Sequence, residues 1–356
     1  MTGSAARTVV AVTDRPVSGH ASADTLTVIV PTYRRVERLG QCLDGLHAQI
    51  RPADEVVVVA QVSDHETLAY LRERERSWPE LSITVVERGG TIAAQNQALT
   101  VATGTIVAFC DDDAVPFPDW AERLMATFAN DDQIVAVGGR DVVYLDGRVF
   151  GADPLRGWRR LFGPPAVGRI QWCGRMTGNH HRADARRCDT DVLKGVNMSF
   201  RRSQVIGLGF DERLLGKGAI VHTELSICLP LRKRGLRIVY DPAILVAHHP
   251  AVRAAGDHRT EQQADVITVV SYNEALCILD YFAPPRRVVF MVWAFMIGTS
   301  GVPGLAVLLR ELVAGRPKAW SRFAAAQRGR LRAWRTYRTE RRAPLVPRPS
   351  RAGSAS

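Results

Sequence analysis

TIVAFCDDDAVPFPDW, Thr105 to Trp120, is an apolar run that stops at three consecutive carboxylates. Thr105 to Cys110 has no helical polar face, the pattern of a strand in a parallel sheet covered on both sides. Ligands gather at the carboxyl ends of such strands. Asp111, Asp112 and Asp113 repel one another and are costly to desolvate, so their delivery by an apolar strand points to a bound cation. In an extended segment alternate side chains share a face, which lets Asp111 and Asp113 reach one ion while Asp112 points elsewhere. The pattern is D-x-D, and oxygen-seeking Mn2+ or Mg2+ suits it. The plainer reading is a solvated acidic loop or a helix start before Trp120.

Upstream, strands and helices alternate. Thr27 to Val30, Glu55 to Val59 and Leu81 to Val86 read as strands. Val36 to Ile50 carries Leu39, Cys42, Leu43 and Leu46 at helical spacing, Leu68 and Leu71 mark a second helix, and Ile92 to Val101 a third. The expected architecture is α/β, a largely parallel mixed sheet flanked by helices. Downstream, Ala121 to Ala129 reads as a helix, Ile134 to Gly138 as a strand and Asp141 to Phe150 as a hairpin turning at Asp146-Gly147. Residues 151 to 190 show no regular pattern, as binding loops often do. Cys173, His180 or His181, and Cys188 are zinc-ligand types, but their spacing matches no common zinc module.

The chain has 356 residues, 46% hydrophobic, enough to bury a substantial core. Its net charge of +11 is unevenly spread: residues 286–356 hold 15 Lys and Arg against Glu311 and Glu340, which leaves the rest slightly acidic. That asymmetry argues for a localised anionic partner at the C-terminal end. Six scattered cysteines without a C-x-x-C pair indicate no disulfide framework and fit a reducing cytosol. Residues 1–24 lack the apolar run of a secretory signal and read as a disordered leader.

An ordered set of segments resembles glycosyltransferase family 2, with its nucleotide-binding GT-A fold: VIVPTYRR (Val28–Arg35), GGTIAAQNQAL (Gly89–Leu99), FCDDDAVPFPDW (Phe109–Trp120), KGVNMSFRR (Lys194–Arg202) and the blocks between Phe210 and His249. The resemblance covers roughly Leu26 to Pro250 and implies metal-dependent, usually inverting, transfer of a sugar from a nucleotide diphosphate sugar to a glycan or glycolipid acceptor. It implies metal contacts from Asp111, Asp113 and His248, and a general base at Glu224. Pro31, Tyr33, Gln61, Asn96, Asp111 and Asp112 fall on the donor side, with Asn179, His180, His181, Asn197 and Arg201 toward acceptor or diphosphate. A helix-start acid for Glu224 and hydrogen-bonded surface histidines for His248 and His249 are the blander readings. Four positions depart from the family pattern. Ala60 and Gln61 replace paired aspartates, Gln95 replaces a frequent arginine, and Thr223 replaces a common acid; Gln61 cannot supply a carboxylate's charge.

Two other classes compete. Asp111 to Val115 also matches the D-x-D-x-V of haloacid-dehalogenase-like phosphatases, although that motif normally opens its domain and here follows three strand–helix units. A non-catalytic scaffold that binds membrane or nucleic acid is the second. Trp320, Phe323, Trp334 and Tyr337 lie among arginines but form no nucleic-acid module, so an anionic membrane surface explains more of the basic end. Val288 to Leu309 is uncharged and flanked by arginines, while Gly298, Gly301, Pro303 and Gly304 interrupt it. Two short helices turning back, interfacial or re-entrant, are expected there, with a buried helix pair as the alternative. The resulting organisation is a leader (1–24), a GT-A domain (25–260), a membrane-associating segment (261–315) and a basic amphipathic helix with tail (316–356), at the cytoplasmic face of the cell membrane.

Overall fold

The computed structural model describes residues 24–87, 89–145, 148–150, 166–216, 218, 220–250 and 264–345. Most of the expected leader, the Asp146-Gly147 turn and residues 151–165 lie outside them. Strands β1 (Leu26–Pro31), β2 (Glu55–Gln61) and β3 (Leu81–Val86) alternate with helices α1 (Val36–His47), α2 (His65–Glu75) and α3 (Thr91–Val101). Then come β4 (Ile106–Cys110), β5 (Ala114–Pro116), α4 (Trp120–Ala129), β6 (Ile134–Leu145) and β7 (Arg148–Val149). Three two-residue strands, β8 (Arg169–Ile170), β9 (Met176–Thr177) and β10 (Cys188–Asp189), are the regular structure among the described residues of the irregular loop. β11 (Asn197–Arg201), α5 (Arg202–Val205), α6 (Thr223–Lys233) and β12 (Arg237–His248) complete the α/β body.

The sheet runs β10-β12-β6-β11-β4-β1-β2-β3. β1 pairs parallel with β2 and β4, and β2 with β3, so the winding reverses between β1 and β4 and opens a crevice at their carboxyl ends. β11 enters antiparallel between β4 and β6, which makes the sheet mixed. The central strands β1, β2 and β4 are mostly apolar because both faces are covered. Ile29, Val57 and Phe109 pack in one core with α3 and α6, whereas Val28, Val58 and Cys110 pack in another with α1 and α4. Fully burying each such side chain contributes roughly 1.5–3 kcal/mol.

Beyond β12 lie α7 (Ala264–Tyr281), α8 (Pro284–Met296), α9 (Leu305–Val313) and α10 (Ala319–Thr339). The expected interruption of the apolar run is present: α8 ends before Gly298, which has φ +65, and α9 starts after Gly304. A Cβ on Gly304 would stand 2.6 Å from the Ile297 carbonyl carbon, so a side chain there would block the turn. No helix among the described residues is long and apolar enough to cross a membrane. α10 lies along α7, and Gly329 permits the approach, since a Cβ there would meet Ser271 Oγ at 2.0 Å. Two of the basic end's arginines are structural donors. Arg330 binds the Val302 and Pro303 carbonyls at 3.1 and 3.2 Å, and Arg342 binds the Ser226 carbonyl and the Tyr281 hydroxyl, each at 2.6 Å.

Candidate active site

β4 ends at Cys110 and hands Asp111, Asp112 and Asp113 to the crevice, as the apolar run predicts. Asp112 is not part of the ligand-atom cluster that Asp111 and Asp113 enter. Its carboxylate accepts from the Thr32 hydroxyl at 2.8 Å and pairs with Arg35 at 3.0 Å. Burial pushes the Asp112 carboxyl upward, and Arg35 opposes that. Arg35 also reaches Asp113, at 3.6 Å. Burial alone would lower the Arg35 guanidinium's pKa, but Asp112, Asp113 and Asp111 raise it. The acidic triplet is thus countered by a fixed cation from the β1–α1 turn.

Asp111, Asp113 and His248 each offer a ligand atom within 4.8 Å of one another, the one metal-type cluster among the described residues. β12 delivers His248. It pairs antiparallel with β5, His248 opposite Ala114, and the His249 N–H donates to the Asp113 carbonyl at 2.9 Å. The imidazole Nε2 lies 3.4 Å from Asp113 Oδ1, and Nδ1 lies 3.1 Å from Asp141 Oδ1. Asp141 comes from the middle of β6, is fully buried, and takes Lys194 on its other oxygen. Burial works against ionisation of Asp141, but His248 and Lys194 outweigh it and hold its carboxyl below the ordinary range. Burial would likewise lower His248, yet Asp113 and Asp141 raise its pKa to about 9. A carboxylate on the far nitrogen of a ligating histidine orients the ring and increases its basicity. Two carboxylate oxygens and an imidazole so supported can hold a divalent cation.

Glu224 is in the first turn of α6, half-buried, beside the Thr223 hydroxyl at 3.3 Å. Topology puts it at the same end of the sheet. β12 is parallel to β6, β11 is antiparallel to both β6 and β4, and α6 reverses into β12 through Gly235. The start of α6 therefore lies at the end where His248 emerges.

Other expected contacts are placed differently. Arg201 pairs in register with Ile106, at the opposite end of β4 from the acids, and its guanidinium serves the Ile134 and Phe128 carbonyls, each at 2.9 Å. The antiparallel entry of β11 is the reason. Asn197 is at the acidic end, opposite Cys110, but is buried with its amide committed to Trp120 Nε1 and the Ile244 carbonyl, each at 3.0 Å. Asn96 is buried as well; it accepts from the Phe210 N–H at 2.7 Å and donates to the Phe210 carbonyl at 3.0 Å, fastening the following loop. Pro31 ends β1 at the crevice, Tyr33 is exposed with Arg34 over its ring at 5.0 Å, and Gln61 ends β2 against Gly89.

Asn179, with φ +66, donates to the Ala166 carbonyl at 2.8 Å. His180 is buried, hydrogen-bonds the Val192 carbonyl at 3.0 Å, and through its own carbonyl accepts the Asp141 N–H at 3.1 Å. Burial brings its pKa down to about 4, so it is neutral at physiological pH. His181 leans on Phe150 and His249 stacks on Tyr144, which leaves His248 as the histidine of the cluster. Cys173, Cys188 and the two loop histidines do not assemble as a zinc set; both thiols are free.

The sequence alone points to no role for Arg35, Lys194 or Asp141. The available signal was Asp141 itself, a lone acid inside an apolar strand, which needs a buried partner.

Residues 27–202 match the family described as Glycosyl transferase family 2. Glycosyltransferase AglE of Haloferax volcanii is 30% identical over 125 residues, 34% of this chain and 41% of that protein. The chain thus spans less than half the length of that relative. Glucosyl-dolichyl phosphate glucuronosyltransferase of the same organism is 24% identical over 233 residues, 63% of this chain and 68% of that one. Among solved structures, mannosyltransferase PcManGT from Pyrobaculum calidifontis, in complex with GDP-Man and Mn2+, superposes with TM-score 0.50 at 23% identity, over 90% of this chain and 83% of that one. That likeness is one of fold, the GT-A arrangement of a mixed sheet flanked by helices.

Proposed function

We propose that the chain, whose residues 27–202 match glycosyltransferase family 2, transfers a sugar from a nucleotide diphosphate sugar to an acceptor hydroxyl. The observation that carries the reading is the convergence of Asp111, Asp113 and His248 at the crevice beside β1, with Asp141 behind the histidine. Asp111, Asp113 and His248 would hold Mn2+ or Mg2+, which supplies Lewis-acid stabilisation of a departing diphosphate. The Mn2+ bound by the mannosyltransferase neighbour supports that choice of ion.

In the proposed reaction the acceptor oxygen attacks the anomeric carbon, the carbon–oxygen bond to the diphosphate breaks, and the electron pair leaves with the diphosphate. Glu224 takes the acceptor proton. A single displacement of this kind inverts the anomeric centre. Arg35, fixed by Asp112, keeps a positive charge beside the developing phosphate charge. We assign the reaction to the cytoplasmic face of the membrane, where nucleotide sugars are available, in the synthesis of a cell-envelope glycan or glycolipid. The test is a screen of nucleotide sugars with divalent cation, reading nucleotide diphosphate release by mass spectrometry. Release from one donor supports transfer; no release from any donor, with folded protein, would favour the non-catalytic scaffold.

A further inference from the structure

The α8–α9 hairpin has an apolar face that the other described residues leave exposed. On α8, Val288, Val292, Phe295 and Met296 recur at helical spacing and are 46% to 62% exposed, while Phe290 and Ala294 on the opposite side are fully buried. On α9, Leu309, Leu312 and Val313 are exposed while Val307 and Leu308 are buried. A helix facing water has a polar outer face, and α8 has none beyond Arg287. The exposed side chains form one surface. Gly304 brings the start of α9 against Ile297, and Phe295 meets Phe323 with ring centroids 6.0 Å apart, which continues to Trp320 at 6.5 Å. At the other end, Arg286 binds the Ile170, Gln171 and Trp172 carbonyls, which seats exposed Trp172 beside α8.

Charge identifies the occupant. Residues 281–339 hold 11 Lys and Arg and a single acid, Glu311, which is buried and paired with Arg322 at 3.4 Å. Within residues 281–339, Arg310, Arg316 and Lys318 are exposed and no carboxylate is. A second copy of the chain would bring like charges together around the apolar face. An anionic bilayer complements both parts, with apolar side chains entering the acyl boundary, basic groups meeting headgroups, and the indoles of Trp172 and Trp320 at the interfacial level.

We propose that the α8–α9 face, with Trp172 and Trp320 at its margins, docks the protein peripherally on an anionic membrane. The inference deepens the transferase reading by naming a lipid surface as partner. Trp172 lies in the same loop as His180, whose carbonyl accepts the Asp141 N–H, so the chain links the docking face to the candidate site. Docking is detectable without turnover, so its failure is distinct from failure of that reading.

The test is co-sedimentation of the full chain with phosphatidylcholine vesicles with and without phosphatidylglycerol. Binding to the anionic vesicles is expected, weaker by roughly tenfold without the anionic lipid. Val292→Glu and Val313→Glu, both at exposed positions, should each weaken binding roughly tenfold with circular dichroism and melting unchanged. Arg316→Glu with Lys318→Glu should remove the preference for anionic lipid. The proposal is overturned by absence of binding to either vesicle, by full binding of these variants, or by a dimer in solution that Val292→Glu dissociates.

Discussion

Replacing Asp141 by Asn tests whether the buried carboxylate behind His248 organises the metal-type cluster. In the native arrangement His248 Nδ1 lies 3.1 Å from Asp141 Oδ1, Lys194 occupies the other oxygen, and the Asp141 side chain has no solvent exposure. An asparagine keeps an oxygen for the imidazole N–H but turns an NH2 donor toward the Lys194 ammonium, another donor. Losing such a carboxylate partner typically costs a ligating histidine roughly 10–100-fold in metal affinity. The stability cost is held to about 1–3 kcal/mol, because the Lys194 side chain is 37% exposed and can turn to water. Mn2+ titration followed by electron paramagnetic resonance measures the affinity directly, with chemical denaturation in parallel. An Mn2+ affinity within twofold of wild type, in a folded variant, would refute the assignment of Asp141 as the residue that orients His248.

Three further outcomes follow. Glu224→Gln should leave donor affinity unchanged and lower transfer roughly 10²–10⁴-fold, read by separate binding and turnover assays; wild-type transfer would move the base elsewhere. His180 is buried with its pKa brought down to about 4, so its contribution to stability is present above about pH 6.5 and is lost as pH falls toward 4. That contribution is on the order of 3 kcal/mol, and the difference in unfolding free energy between wild type and His180→Gln should shrink across this window; a constant difference counts against it. Gly329→Ala should destabilise by roughly 1–3 kcal/mol, since its Cβ would meet Ser271 Oγ at 2.0 Å and the Thr268 carbonyl oxygen at 2.3 Å, and an unchanged melting temperature would show that α7 and α10 can separate freely.

The first half of the sheet is legible in the sequence because its signals are local. Strands buried on both faces read as unbroken apolar runs, and the helices between them have their own periodicity. The abrupt change from Cys110 to Asp111 marks the crevice for the same reason. Gly298, Pro303 and Gly304 likewise forecast the break between α8 and α9.

What was hidden depends on pairings distant in sequence. Gly138 and Gly139 look like the end of a strand, yet β6 runs on to Leu145; the glycines are there because Leu193, Asn197 and Ile244 come so close that a Cβ on Gly139 would stand 1.8 Å from the Ile244 carbonyl oxygen. That continuation carries Asp141 to a histidine 107 positions away. The antiparallel insertion of β11 is invisible to periodicity, and it sends Arg201 to the wrong end for a ligand. Asn96 matches a ligand-binding type by residue and position, but its amide is used inside the protein.

We propose that Asp111, Asp113 and His248 form a cation site that serves sugar transfer. Nucleotide diphosphate release from the donor found in the screen, measured with Mn2+ and with chelator for wild type, Asp113→Asn and Asp112→Asn, tests it most directly. The predicted result is release by wild type that needs the cation and falls by several orders of magnitude in Asp113→Asn, with a much smaller loss in Asp112→Asn. Full release in chelator, or an Asp113→Asn enzyme as active as wild type, would contradict the account.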